Sequence, residues 1–192
     1  MEWILASASP RRKQLLGELV DKFEIIPAKG EEICPAGVTG AALVKALACQ
    51  KAEEVAALPI AAGKAVLGAD TIVCLDGETL GKPKDEADAA RMLRALSGKK
   101  HDVYTGVCIV YDDKTGKRRK LVEADQTGVY FNELTQAFIN DYVAGGSPMD
   151  KAGAYGIQDG GLVARLDGSF SNVVGLPVEL CRRMIEEIEK EN

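Results

Sequence analysis

The run Ser7-Ala8-Ser9-Pro10-Arg11-Arg12 combines residue types that suit the binding of a polyphosphate. Ser9 is suited to cap a helix and Pro10 to occupy its first position, where the missing N–H costs nothing. The free N–H groups and the positive dipole end of that helix favour an anion. Arg11 and Arg12 oppose the dipole, but a phosphate reverses this penalty because guanidinium groups bind its oxygens bidentately. The alternative is that both arginines are solvated surface residues.

A carboxylate interrupts a strongly apolar segment at Gly68-Ala69-Asp70-Thr71. A buried aspartate is costly unless it is paired or bound to a metal, so Asp70 is either a functional group or a structural partner. Lys82 follows shortly after and places a cation near the mouth of the same predicted cleft. Residues 149–158 are dense in small side chains, and their glycines either let the backbone approach a ligand closely or form a tight structural turn.

The periodicity of apolar residues and the turn residues predict the elements that position these groups. Strands are predicted at 3–5, 23–27, 65–75, 78–80, 101–111, 120–131, 154–157 and 162–166. Helices are predicted from Pro10, over 39–57, 85–96 and 135–143, and from Pro177 to the charged tail. Because strands and helices alternate irregularly and include hairpins, we predict an α/β fold with a mixed sheet, flanking helices and a cleft beside a second, smaller lobe.

Composition excludes several classes of protein. The 192 residues carry a net charge of −5, which argues against sequence-independent binding to nucleic acid or to an anionic membrane. No apolar run reaches the roughly 20 residues of a membrane span, and Met1 leads almost directly into the first strand, so we expect a cytoplasmic protein. A single histidine leaves no room for a His-rich zinc site or a His-dependent triad. Neither a Walker A pattern nor a GxGxxG fingerprint occurs.

Three further features favour structural roles. Five cysteines, an odd number without a CxxC pair, fit a reducing compartment. We expect His101 to pack at the start of a strand. The basic run Lys117-Arg118-Arg119-Lys120 lies beside a hairpin turn, where a solvated hairpin end is favoured over a phosphate or nucleic-acid patch.

Six stretches occur in one order and cover nearly the whole chain: residues 7–12, 68–73, 81–83, 96–98, 150–158 and 168–177. Together they resemble the Maf (septum-formation-inhibitor) family of nucleoside triphosphate pyrophosphatases. The resemblance implies a fold related to the inosine triphosphate pyrophosphatases, with an elongated mixed sheet and a central cleft between two lobes. We expect a single domain over residues 1–192 that forms a homodimer.

The resemblance also implies a reaction and its residues. A nucleoside triphosphate is hydrolysed to the monophosphate and pyrophosphate with a divalent cation, Mg²⁺ or Mn²⁺. Asp70 is implied as general base and metal ligand, and Glu32 as a second carboxylate on the metal side. The residues implied on the phosphate side are Ser9, Arg11, Arg12, Lys51 and Lys82. These roles are chemically compatible, since Mg²⁺ takes one or two carboxylates together with phosphate oxygens and waters.

Three positions separate subgroups of the family, and here they hold Arg11, Thr71 and Gln158. This combination resembles the subgroup that hydrolyses dTTP and UTP, whereas the branch acting on 7-methyl-GTP has an aromatic residue, a glutamine and a glutamate. A glutamate favours a cationic methylated purine, while the neutral Gln158 amide can donate to and accept from a pyrimidine edge. We therefore expect dTTP and UTP as substrates, with modified pyrimidine triphosphates as further candidates.

Two other classes of function remain as alternatives to the enzyme. The family name comes from a septation phenotype, so one alternative is a non-catalytic nucleotide-binding regulator of cell division. The other is a nucleic-acid-binding domain, which the acidic balance disfavours. The first is disfavoured because every motif residue that the chemistry needs is retained.

Overall fold

A seven-stranded mixed sheet forms the centre of the computed structural model, which describes residues 1–191. The strands are β1 (Trp3–Leu5), β2 (Phe23–Ile25), β3 (Ala65–Leu75), β4 (Glu78–Leu80), β5 (Lys100–Asp112), β6 (Arg118–Phe131) and β7 (Val163–Asp167). Their order is β2-β1-β3-β5-β6-β7, with β4 added to β3. The β1 strand pairs in parallel with β2 and β3, and the remaining pairs are antiparallel. The predicted α/β class is confirmed.

Helices pack on both faces of this sheet. They are α1 (Pro10–Leu16), α2 (Gly40–Ala56), α3 (Glu86–Leu96), α4 (Gln136–Ala144), α5 (Phe170–Val174) and α6 (Val178–Glu191). One group of buried residues joins α1 and α6 to the first half of β3, and another joins α3 and α4 to its second half. The long strand β3 therefore passes from one hydrophobic core to the other. No helix within residues 1–191 combines the length and apolar character needed to span a bilayer.

One edge of β3 is open between these two cores. The β1 strand pairs with β3 as far as Leu67, and β4 begins its pairing at Val73. Within residues 1–191, no strand pairs with 68–72 on this edge, while β5 covers the opposite edge throughout. Because side chains alternate along a strand, Asp70 and Thr71 leave this open segment toward opposite faces of the sheet.

Helix α2 lies unusually close to the sheet because glycines face it. A Cβ atom added at Gly68 would lie 2.5 Å from the carbonyl oxygen of Ala48, and one added at Gly106 would lie 2.3 Å from that of Val44. No real side chain fits at such distances, so only glycine permits this approach. The close packing brings the α2 residue Lys51 within reach of the open segment of β3.

The structure differs from the prediction at several elements. The strand predicted at 154–157 is wrong, because Ala154 has a φ of 62° and the extended residues Tyr155 and Gly156 pair with no strand within residues 1–191. Short 3₁₀ turns occupy this region instead, at Ala152–Ala154 and Ile157–Asp159. Helix α5 was not predicted, since five residues are too few for a periodic apolar pattern. Other boundaries shift by one or two residues, as for β6, which begins at Arg118.

Two predictions about individual residues are confirmed. The basic run at the end of the β5–β6 hairpin is exposed, and three of its members, Arg118, Arg119 and Lys120, pair with neighbouring carboxylates. His101 is buried at the start of β5, where its Nε2 lies 2.7 Å from the hydroxyl of Tyr155. All five cysteines are free thiols.

Candidate active site

A cleft of about 740 Å³ lies at the open segment of β3. Its walls come from the loop after β1, the start of α1, the middle of α2, and the turns that follow residue 150. Every site residue predicted from the sequence lines it: Ser9, Arg11, Arg12, Glu32, Lys51, Asp70, Thr71, Lys82 and Gln158. The fold therefore gathers side chains that are far apart in the chain.

Lys51 joins two carboxylates on the α2 side of this cleft. Its Nζ contacts Asp70 Oδ1 directly and lies 2.9 Å from Glu32 Oε1. The side chains of Lys51 and Asp70 are only 17% and 10% exposed, so water screens their attraction weakly. Since a buried charge without a partner is strongly destabilising, this mutual pairing allows the charges to remain in the cleft.

Glu32 is held in its ionised form by nearby cations. The hydrogen bond from Lys51 lowers the pKa of Glu32, and this effect outweighs partial burial, which raises it. The positive charges of Lys82 and Arg12 lower the pKa further. Lys82 is exposed at the cleft, so its ammonium group is accessible to a ligand while it acts on Glu32.

Three acceptors anchor the guanidinium group of Arg12. Its Nε donates to Gly175 O at 2.9 Å, its Nη2 to Thr71 Oγ1 at 3.1 Å, and its Nη1 to Ser7 Oγ at 3.4 Å. Burial lowers the pKa of Arg12 below its ordinary value, and the negative charge of Asp70 opposes that shift. An arginine remains protonated in proteins, so Arg12 supplies a fixed positive charge to the cleft.

The hydroxyl of Thr71 belongs to a chain of hydrogen bonds that starts at Arg12. Thr105 Oγ1 donates to the carbonyl oxygen of Asn172 at 2.8 Å, which uses its only proton. Thr71 Oγ1, 2.9 Å from Thr105 Oγ1, therefore donates to it and accepts from Arg12. The Asn172 side chain is fully buried and donates to groups on β5 and β6. Arg12 is thus oriented by a network that extends into the core.

The start of α1 is arranged as the sequence predicts. Ser9 is the N-cap, and its Oγ accepts from the backbone N–H of Arg12 at 3.4 Å. Arg11 lies on the outer side of the same turn, where its Nη1 donates to Asp150 Oδ2 at 3.1 Å. This ion pair ties the turn at residue 150 to the helix that carries Arg12.

Gln158 lies exposed on the 3₁₀ turn Ile157–Asp159, at the edge of the cleft. The preceding residues are fixed by Tyr155, which is buried and bonded to His101. Burial lowers the pKa of His101 to about 4, so its imidazole is neutral at pH 7. The Tyr155 anchor therefore holds the base of the turn that presents Gln158.

The carboxylates of the cleft suit a metal that arrives with phosphates. Within residues 1–191, no group of three or more His, Cys, Asp or Glu side chains is placed to hold a metal. The cleft offers instead the pair Asp70 and Glu32, which converge on Lys51 Nζ. Two carboxylates fit Mg²⁺, which completes its coordination with waters and substrate phosphates.

The sequence did not indicate four residues of the Arg12 network: Ser7, Thr105, Asn172 and Gly175. Three of them lie inside stretches already noted as distinctive. Thr105 had a weaker signal, a polar side chain in an apolar strand segment. Thr105 is completely buried, and its hydroxyl links Thr71 to the carbonyl oxygen of Asn172. Its position in the sequence does not reveal this role.

Comparisons with known proteins identify the relatives of this chain. The family model described as "Maf-like protein" matches residues 2–188. A dTTP/UTP pyrophosphatase of Agathobacter rectalis is 45% identical, over 97% of this chain and 96% of that protein. Proteins of the same name from Geobacter sp. (strain M21) and Bacillus cereus (strain AH187) are 48% and 45% identical, over 91% and 98% of this chain and 89% and 95% of their own.

Solved structures show the same fold at much lower sequence identity. The Ham1 protein of Staphylococcus aureus matches with a TM-score of 0.56 and 16% identity, over 97% of this chain and 99% of that one. A HAM1 protein from Coxiella burnetii gives the same values. The family model and the relatives cover nearly all of the chain, including each part of the cleft. The chain therefore belongs to the Maf-like protein family.

Proposed function

We propose that this protein hydrolyses dTTP and UTP to the nucleoside monophosphate and pyrophosphate. The observation that carries the proposal is the convergence of Arg12, Lys51 and Lys82 with Asp70 and Glu32 in one cleft. In such a site the cations can bind a polyphosphate. The carboxylates can bind a metal ion and accept a proton from water. The relatives named dTTP/UTP pyrophosphatase support the same reaction and the same bases.

In the proposed reaction, Asp70 acts as the general base. It accepts a proton from water as the water oxygen bonds to phosphorus and the anhydride bond between the α- and β-phosphoryl groups breaks. The leaving pyrophosphate takes the electron pair of that bond. Lys51 contacts the Asp70 carboxylate and orients it, and in this proposal its ammonium group also binds a phosphate.

The cations stabilise the charge that develops on the pyrophosphate. Arg12 is fixed by its three acceptors before substrate arrives, so little reorganisation is needed when the bond breaks. Lys82 adds charge from the mouth of the cleft. Ser9 and Arg11 contact the phosphates from the start of α1. Thr71 acts through Arg12, since its hydroxyl is already used in orienting that side chain.

Asp70 and Glu32 would hold the divalent cation, Mg²⁺ or Mn²⁺, together with phosphate oxygens. When bound, such an ion supplies Lewis-acid stabilisation of phosphoryl oxygens. Lys51 bonds both carboxylates, so it competes with a cation for them and keeps them paired when no cation is bound.

Gln158 selects the base in this proposal. The exposed Gln158 amide can both donate to and accept from the edge of a neutral pyrimidine. A site built on such hydrogen bonds rejects other bases because its own polar groups would remain unpaired. Modified pyrimidine triphosphates that keep this edge are further candidate substrates.

The test is pyrophosphate release by the purified protein with Mg²⁺ or Mn²⁺ on dTTP, UTP, CTP, GTP and 7-methyl-GTP. We expect the highest kcat/KM values for dTTP and UTP, with monophosphate formed in equal amount. An Asp70→Asn protein prepared in parallel controls for contaminating hydrolases. Absence of pyrophosphate from every substrate overturns the enzymatic proposal, whereas preference for a guanine nucleotide overturns only the choice of base.

A homodimer in the cytoplasm remains part of the proposal. Sedimentation velocity at several protein concentrations measures the first property, and a monomer at all of them contradicts it. Cell fractionation measures the second.

A further inference from the structure

The turn that presents Gln158 has little rigidity of its own. Gly156 precedes it and Gly160 and Gly161 follow it, and glycine loses more conformational freedom on folding than any other residue. Gly160 and Gly161 have φ values of 73° and 74°, which other residues rarely adopt. The position of Gln158 therefore depends on contacts between this turn and the rest of the fold.

Asp159, the residue after Gln158, makes these contacts. Its Oδ2 accepts a hydrogen bond from the hydroxyl of Tyr142 at 2.5 Å and another from the hydroxyl of Ser147 at 2.7 Å. The Tyr142 hydroxyl itself accepts from the backbone N–H of Gly156 at 3.0 Å. Both ends of the turn are therefore bonded to one tyrosine hydroxyl.

The carboxylate of Asp159 lies close over Gly156. A Cβ atom added at Gly156 would lie 2.7 Å from Asp159 Oδ2 and 3.0 Å from Lys151 Cε. A side chain at this position would have to displace the carboxylate or the lysine, so glycine permits the close approach. The glycine that makes the turn flexible thus also makes room for the group that anchors it.

The partners of Asp159 are themselves fixed. Tyr142 lies on α4, where its ring stacks on that of Phe138 with the centroids 6.1 Å apart. Lys151 Nζ lies 3.2 Å from Ser147 Oγ, and an ammonium group can only donate. Ser147 therefore accepts from Lys151 and directs its own proton to Asp159.

Asp159 and Tyr142 have the protonation states that these bonds require. Partial burial raises the pKa of Asp159, but the hydrogen bonds from Tyr142 and Ser147 and the charge of Lys151 bring it below its ordinary value. Burial and the bond to Asp159 raise the pKa of Tyr142 to about 12. At pH 7 an ionised carboxylate thus accepts from a protonated phenol, which makes a strong hydrogen bond.

We propose that Asp159 is a positioning residue for base selection, which holds the turn so that the Gln158 amide meets the base in one orientation. This inference rests on the proposed function and deepens it. Gln158 lines the cleft and Asp159 does not, so Asp159 acts through Gln158. Its loss should therefore reduce discrimination between bases and leave affinity for the polyphosphate unchanged.

The test measures the ratio of kcat/KM for dTTP to kcat/KM for CTP. Cytosine has an amino donor where thymine has a carbonyl acceptor, so an amide held in one orientation distinguishes them. Asp159→Ala should lower the ratio about 10-fold, the scale of a hydrogen bond to a charged group. In a Gln158→Ala background the same change should alter it less than about twofold, because the residue through which Asp159 acts is already lost.

An inhibitor without a base separates positioning from a general loss of structure. The inhibition constant of tripolyphosphate should change less than about twofold in Asp159→Ala, because it depends on the cleft cations. Tyr142→Phe removes one of the two donor hydroxyls and keeps the ring, so it should lower the dTTP-to-CTP ratio about threefold or more. Asp141→Ala, at the exposed neighbour of Tyr142 on α4, should match the wild type.

Three results overturn the assignment: an unchanged ratio in Asp159→Ala, an equal loss of the ratio in the Gln158→Ala background, or an equal loss of affinity for tripolyphosphate. If circular dichroism shows that Asp159→Ala does not fold, Tyr142→Phe decides, and an unchanged ratio in that variant overturns the assignment. Failure of the proposed function is distinguishable, since the wild-type protein would then release no pyrophosphate or show no preference for dTTP over CTP.

Discussion

Two clusters of ionic residues, one in the cleft and one at the end of the β5–β6 hairpin, differ in how far their cations are exposed to water. In the cleft, Lys51 pairs with Asp70 and Glu32, and its side chain is 17% exposed. At the end of the β5–β6 hairpin, Arg118 and Arg119 are 42% and 49% exposed and pair with the neighbouring carboxylates of Asp112 and Asp113. The residue types are alike, and Lys51 is less exposed than either arginine, whereas the carboxylates do not follow this order, since Glu32 is 54% and Asp113 is 8% exposed.

This difference in exposure indicates which charged side chains can act on a substrate. Exposed ion pairs contribute little to stability, since water and salt screen them and ordering long side chains costs entropy. Around Lys51 and Asp70 the screening is weaker, so these charges act strongly on each other and on a bound phosphate. A basic run in the sequence is therefore a poor indicator of a phosphate site, whereas an isolated lysine that folding brings to a buried aspartate is a good one.

The largest effect is expected from Asp70→Asn. The change keeps the shape of the side chain and removes its basicity, so kcat for dTTP should fall about 10³-fold. Lys51 keeps Glu32 as a partner, which limits the loss of stability. Steady-state kinetics give kcat, and circular dichroism with thermal melting verifies the fold. A folded variant with near-normal kcat contradicts the role of Asp70.

Arg12→Ala should follow, with kcat/KM about 10²-fold lower or more, the scale for losing a preorganised charge-stabilising donor. Arg12→Lys should recover little, because one ammonium group cannot replace donors to Gly175, Thr71 and Ser7 together. Kinetics with dTTP measure both variants. Full recovery in Arg12→Lys would show that only net charge matters at this position.

A pair of lysine variants, both at exposed residues, tests whether a position at the cleft is enough for a charge to matter. Lys82→Ala, in the cleft, should lower kcat/KM about 10²-fold. Lys120→Ala, which breaks an exposed pair with Glu53 at the hairpin, should change it less than about twofold. Equal effects of the two substitutions on kcat/KM would remove the distinction between the clusters.

Thr71→Val tests the orientation of Arg12. The variant keeps the size of the side chain and loses the acceptor for Arg12 Nη2, so kcat/KM should fall about 10-fold, as for a hydrogen bond to a charged group. Thr71→Ser restores the hydroxyl and should restore most of the activity. If Thr71→Ser is as poor as Thr71→Val, the methyl group rather than the hydrogen bond is responsible.

The smallest effect on catalysis is expected at His101, a buried ionisable group outside both clusters. Burial lowers its pKa from 6.5 to about 4, so the unfolded chain binds more protons between these values. Stability should therefore fall as pH decreases from about 6.5 to 4, by at most about 3 kcal/mol. Urea unfolding across this range measures the decrease. His101→Gln should flatten it, and an unchanged slope in that variant assigns the decrease to other groups.

The sequence predicted regular elements and local caps well because their signals are local. Strand β3, the hairpin turn after it and the Ser9 cap follow from neighbouring residues. The anchor of Arg12 on Gly175 joins residues 163 positions apart, so no local pattern contains it. Lys51 was identified only through the family resemblance, since its helix is Ala-rich and otherwise unremarkable in pattern. Contacts between residues that are distant in the sequence position Arg12 and Lys51 in the cleft.

The open segment of β3 also bears on how the molecule behaves among copies of itself. An unpaired strand edge exposes N–H and C=O groups that another chain can add to, which is a common route to aggregation. Here the stretch without a strand partner on this edge is limited to residues 68–72, with β1 ending before it and β4 beginning after it. An incoming strand would collide with both neighbours before it formed a useful number of hydrogen bonds. Because β1 and β4 flank it closely, this edge is accessible to a small ligand but is too short for another polypeptide to pair with.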